Sequence, residues 1–148
     1  MFNEPDEYQG APGRLNSIWT RTGAHLIEGP VGAMEVLVDA PAPLRAGIAI
    51  VAHPQPLLGG NAMHKIPQLL ARALSEAGWL TLRPNFRGAG RSAGVHDEGL
   101  GETEDILALC ELARASHPGL ELALVGFSFG AFVMARAAHA LAQRGEPA

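Results

Sequence analysis

Cysteine is almost absent. Cys110 stands alone among 148 residues, so no disulfide framework can form within the chain. Neither paired-cysteine spacing nor His-Glu-x-x-His occurs, and the six histidines are scattered, which removes the familiar zinc signatures. No metal and no cofactor are expected. Long apolar runs are missing as well. The longest, around Ala46–Ala52, is too short to span a bilayer. The first residues, Met1–Leu15, are polar and acidic and lack a basic segment leading into an apolar one, so they do not read as a signal peptide. Excess basic charge is also lacking. Eleven Lys and Arg against fifteen Asp and Glu give a net charge of −4, which offers no electrostatic support for nucleic acid or an anionic membrane. These absences lead to the expectation of a cytoplasmic protein with neither partner.

What is present suits a globular body. The 47% hydrophobic content is enough for one domain, and a chain of this size buries roughly 70% of its unfolded surface. Residues 1–23 carry Pro, Gly and charge without periodicity and are expected as a loose extension, with the domain running over 24–148. His25–Glu28 and Ala33–Asp39 flank Gly29-Pro30-Val31-Gly32, the pattern of a β-hairpin. Ala46–Ala52 reads as a strand buried on both faces. Ile66, Leu69, Leu70, Ala73, Leu74 and Ala77 recur at helical spacing, with Gly78 as the C-cap. Trp79–Phe86 reads as a strand whose regular pairing ends at Pro84, and a Gly-rich loop follows. The next helix runs from about Glu102 to Ser116, with Glu102, Glu104 and Asp105 at the positive end of its dipole. Ile106, Leu107, Leu109, Cys110, Leu112 and Ala113 form its apolar stripe, so Cys110 is expected as a buried structural thiol. Strands alternating with helices argue for an α/β fold, a doubly wound and mainly parallel sheet.

The chemistry is concentrated at Val125-Gly126-Phe127-Ser128-Phe129-Gly130-Ala131. The strand Glu121–Val125 enters it and helix-forming residues up to Gln143 leave it. Strand, Gly-x-Ser-x-Gly, helix is the setting of a nucleophile elbow, in which Gly126 and Gly130 leave room for a sharp turn that raises the Ser128 hydroxyl. The plainer alternative is a serine in an ordinary Gly-rich turn. Gly88-Ala89-Gly90-Arg91-Ser92-Ala93 matches a relaxed dinucleotide fingerprint, but another loop follows it instead of the helix that would receive a pyrophosphate.

Three landmarks in order resemble the alpha/beta-hydrolase superfamily. They are His53-Pro54-Gln55-Pro56 after the first central strand, Asn85-Phe86-Arg87-Gly88-Ala89-Gly90-Arg91-Ser92 after the next, and the Ser128 elbow. The second departs from the family's Asp-x-Arg-Gly-x-Gly-x-Ser only at Asn85. The details are similar to small bacterial hydrolases carrying His-Pro-x-Pro-Leu-x-Gly-Gly, Asn-Phe-Arg-Gly-x-Gly-x-Ser and Gly-Phe-Ser-Phe-Gly segments; dienelactone-hydrolase-like and Xaa-Pro-dipeptidyl-peptidase-like domains are more distant. The resemblance implies a serine hydrolase acting on a small ester-like acyl substrate, with Ser128 as nucleophile and the N–H groups of Phe129 and Gln55 as oxyanion donors. It implies structural roles for His53 and Arg87. It also implies an acid and a histidine after the serine in chain order, and neither is found here. His139 lies eleven residues along a helix, roughly 16 Å further along its axis. His96-Asp97-Glu98 reads as an exposed charged turn, and Glu146 has no following strand to position it. The expectation is therefore a hydrolase domain without its C-terminal strands, weak or inactive alone, whose open sheet edge at Leu122–Val125 favours self-association. The alternative is a non-enzymatic, hydrolase-like module that associates with a partner chain.

Overall fold

The arms around Gly29–Gly32 pair as the turn residues predict. In the computed structural model, which describes residues 19–148, β1 (Gly23–Gly29) and β2 (Gly32–Asp39) form an antiparallel hairpin. The apolar run after Pro43 becomes β3 (Ile48–Ala52), with all five residues buried. β4 (Leu80–Pro84) is also buried throughout, and β5 (Leu122–Gly126) leads into the serine turn. The strand order is β1-β2-β4-β3-β5. β3 runs parallel to both β4 and β5, with Ile48 beside Leu80 on one side and Leu122 on the other. The hairpin joins this parallel part antiparallel, through Val36–Asp39 against Thr81–Pro84. The sheet is thus mixed and open.

Three helices cover it. α1 (Lys65–Glu76) packs on β2, β3 and β4. α2 (Leu100–Ser116) and α3 (Phe129–Gln143) pack against each other, α2 reaching β1 and α3 covering β3 and β5. Burial of β3 on both faces follows from this two-sided cover. Gly78, at φ +94°, follows the last turn of α1 in the left-handed conformation that ends many helices. α1 is rotated from the expected stripe. Pro67 and Ala71 face the core, whereas Leu69, Ala73 and Ala77 are exposed. The seam follows positions 67, 70, 71 and 74, which also keep helical spacing, so periodicity alone did not fix its phase. A short 3₁₀ turn, Pro56–Leu58, follows β3.

Most of the expected extension, residues 1–18, lies outside the described residues. Its end does not fit a loose segment: Trp19 is buried in the core cluster, and Thr22 Oγ1 accepts a hydrogen bond from Ala40 N. A single large aromatic can anchor a segment that has no periodicity of its own. Cys110 is buried, and burial pushes its thiol pKa up to about 12, so it stays protonated and inert. Among the described residues β5 has β3 as its only neighbour, and Ala123–Gly126 are half-buried. No helix among them is long and apolar enough to cross a membrane.

Candidate active site

β3, β4 and β5 run parallel, so the loops after them share one edge of the sheet, where ligands of open α/β sheets bind. All three sequence landmarks lie there. Ser128 sits between β5 and α3 at φ 57° and ψ −122°, one of two non-glycine residues with positive φ among those described. Its side chain is in an exposed position. The turn is tight enough to exclude any side chain at its shoulders. A Cβ on Gly126 would lie 2.6 Å from the backbone of Gly130, and one on Gly130 would strike the Ala52 carbonyl. That second approach brings the start of α3 against the end of β3, and Phe127 N also donates to Ala52 O at 3.4 Å.

Phe129 is the first residue of α3, so its N–H has no acceptor four residues back within the helix. Ser128 O accepts from Ala131 N and Phe132 N, and Phe127 O accepts from Gly130 N. Across the edge, Gln55 O accepts from Leu58 N and Gly60 N, and Gln55 Oε1 accepts from Leu57 N. Among the described residues the Gln55 N–H donates to no protein acceptor. Both expected donors are therefore unspent.

The histidines separate clearly. His53 is fully buried, with Nδ1 donating to Pro54 O at 2.7 Å and Nε2 accepting from Phe86 N at 3.0 Å. Both ring nitrogens are used, which fixes the tautomer, and burial lowers its pKa to about 4. It is a neutral strut between the loops after β3 and β4. His139 is exposed on α3, and His117 caps the far end of α2. His96 differs from the expected exposed turn. Asp97 and Glu98 are exposed, but the His96 ring turns inward against Phe129, 5.3 Å between centroids, with Nδ1 3.1 Å from Glu102 Oε2. Sequence gave no signal for this, because the loop path decides it.

The loop after β4 is held from within. Arg87 grips Asp105 through two bonds of 2.8 and 2.7 Å and donates to Gly101 O at 2.8 Å, as the anchoring role implied. The Asp105 hydrogen bond keeps the guanidinium firmly protonated. Asn85, the departure from the family pattern, donates to Glu35 Oε1 at 2.8 Å and accepts from Ala62 N at 2.8 Å. An aspartate there would set one carboxylate against another, so an amide fits beside Glu35. Ser92 Oγ accepts from Glu35 N and donates to Asn85 O. Among the described residues no cluster of three or more His, Cys, Asp or Glu is arranged to hold a metal ion.

Comparison with known proteins agrees with this geometry. Residues 59–146 match the family model described as serine aminopeptidase, S33. The chain belongs to the alpha/beta serine hydrolase family. An alpha-beta serine hydrolase homologue from Coxiella burnetii superposes with a TM-score of 0.78 at 40% identity, over 81% of this chain and 59% of that one. XC6422 from Xanthomonas campestris, an a/b serine hydrolase without lid, gives 0.78 at 45%, over 83% and 58%. An uncharacterized protein of Rickettsia prowazekii (strain Madrid E) is 38% identical over 106 residues, 71% of this chain and 44% of that protein. The chain thus spans less than two thirds of the length of these relatives.

Proposed function

We propose that the protein is a serine hydrolase for small ester-like acyl substrates, with Ser128 as nucleophile. The observation that carries this reading is the conformation of Ser128: a strained, exposed turn followed directly by the unspent Phe129 N–H, on a chain of this family. Backbone strain of this kind costs about 1–3 kcal/mol and collects at functional sites. In the proposed reaction Oγ of Ser128 bonds to the carbonyl carbon, and the carbonyl electrons move to oxygen. That oxyanion is received by Phe129 N–H and Gln55 N–H. The C–O bond to the leaving group then breaks, the alcohol departs with the proton taken from Ser128, and water hydrolyses the acyl-enzyme.

No histidine among the described residues is held by Ser128 as a base, so the 148-residue chain is expected to react slowly. Oxyanion donors alone still retain about 10³–10⁴-fold acceleration over water when a triad is disabled. Fluorophosphonate labelling and p-nitrophenyl acetate hydrolysis test this. Slow, stoichiometric labelling that disappears in Ser128→Ala is expected, with little turnover. Equal labelling of wild type and Ser128→Ala would reject the serine. Robust turnover lost in both Ser128→Ala and His96→Ala would make His96 the base.

One observation favours a second reading, association. β5 carries neither charge nor proline in Leu122–Gly126, the features that usually guard an edge strand, and its outer side is unpaired among the described residues. Sedimentation of the 148-residue chain distinguishes the cases, since pairing through this edge gives dimers or larger species and a monodisperse monomer removes it.

A further inference from the structure

Phe129 is where several rings meet. Phe86 lies edge-on to it at 5.6 Å, His96 at 5.3 Å and Phe132 at 6.3 Å between centroids. Each wall comes from a different place. Phe86 follows β4 and leans on His53 at 4.6 Å. Phe132 is one turn further along α3, under the guanidinium of Arg136 at 5.9 Å. His96 is supplied by the loop before α2. That loop lies close: a Cβ on Gly99 would come within 2.6 Å of the Phe132 ring and 3.7 Å of the Phe129 ring.

His96 is braced from behind. Glu102 is fully buried, its Oε2 accepts from Asp97 N at 2.9 Å and its Oε1 from Gly99 N at 3.1 Å. The same Oε2 lies 3.1 Å from His96 Nδ1, and the His96 side chain is only 15% exposed. Asp97 Oδ2 accepts from Gly101 N, which ties the loop once more to the first turn of α2. The chain that follows His96 is therefore tied to the first turn of α2.

The consequence lies in the peptide between Ser128 and Phe129. Its plane, and so the direction of the Phe129 N–H, follows the ψ of Ser128, held at −122° beside a φ of 57°. A non-glycine residue stays in such a conformation only when its surroundings over-determine it. Gripping the side chain of the next residue is one way to do that. We propose that His96 is a positioning residue for this turn: its ring fixes Phe129 and thereby aims the N–H that receives the oxyanion. This rests on the reading of Ser128 as nucleophile and Phe129 N–H as donor.

Two readouts keep the inference separable from that reading. One is the amide resonance of Phe129 in ¹⁵N-labelled 148-residue protein, and the other is the rate of fluorophosphonate labelling at Ser128. In His96→Ala the Phe129 amide shifts and broadens, and labelling slows about tenfold, within the roughly 100-fold that a 1 Å misplacement can cost. In His96→Phe the ring is restored without Nδ1: the labelling rate recovers most of the tenfold loss, and the Phe129 amide regains its wild-type linewidth. An unchanged amide and rate in His96→Ala overturn the proposal. So does a His96→Phe variant that recovers neither, because the ring is then not the acting group. If His96→Ala fails to melt cooperatively, His96→Leu takes its place: slowed labelling with a broadened Phe129 amide is expected, and an unchanged amide and rate overturn the proposal. If wild type labels no better than Ser128→Ala, the serine reading has failed, and the Phe129 amide alone decides whether His96 holds the turn.

Discussion

The loop after β4 and the turn after β5 are both Gly-rich and lie on the same edge of the sheet, yet they treat their polar groups in opposite ways. In the first, Arg87, Asn85, Ser92, Glu35 and Asp105 bond to one another or to backbone inside the protein. In the second, the Ser128 position is exposed and the Phe129 N–H has no helical acceptor. Polar groups bonded to each other are committed to structure. Polar groups left unspent beside a strained backbone remain available to a ligand. The comparison separates residues that look equally suggestive in a motif list.

Removing a member of the closed network should therefore cost much stability. The largest effect is expected for Arg87→Ala, which leaves Asp105 buried as a carboxylate without its cation. A loss of about 3–5 kcal/mol is expected in urea denaturation. A loss under 1 kcal/mol would mean water replaces the guanidinium freely.

His53 gives the next effect, and it depends on pH. Its folded pKa, about 4, lies below the ordinary 6.5, so the folded protein refuses a proton that the unfolded chain accepts. The stability contribution is full above pH 6.5, falls as pH drops from there to about 4, and is level below that. The total is about 3 kcal/mol. Denaturation of wild type and His53→Gln across this window should show their difference narrowing as pH falls.

Asn85→Asp is expected to cost about 2 kcal/mol at pH 7, since it loses the donor to Glu35 and adds a second charge. The loss should shrink on acidification, when one carboxyl of the pair takes a proton and can donate again. A pH-independent loss would place the damage elsewhere.

The open turn should behave in the opposite way. Ser128→Gly is expected to stabilise the fold by about 1 kcal/mol, because glycine accepts φ 57° without strain. A stabilised variant that no longer takes the fluorophosphonate label would put strain and reactivity on one residue. A destabilised one would show that the hydroxyl contributes to structure.

Much of this is legible in the sequence. Glycines and prolines marked the hairpin and the ends of β3, β4 and α1, and the three landmarks fell on the expected loops. The phase of α1 was not legible, because two overlapping helical spacings were both apolar. Nor was the partnership of Asn85 with Glu35, fifty residues apart, although the departure from the family pattern at Asn85 was a visible trace of it. Trp19 was missed because its segment has no period, and His96 because its flanking acids made it look solvated.

By itself the sequence determined the order of elements, the sharp turn at Ser128 and the family to which the chain belongs. Those follow from local properties: apolar period, glycine at close approaches, and short motifs between recognisable elements. The tertiary structure alone decided with which partners the polar side chains are consumed. It closed both nitrogens of His53, set Arg87 on Asp105, turned His96 onto Phe129, and left β5 with one neighbour among the described residues. Each of these depends on groups far apart in the chain meeting at hydrogen-bond or van der Waals distance, and no local pattern encodes such a distance.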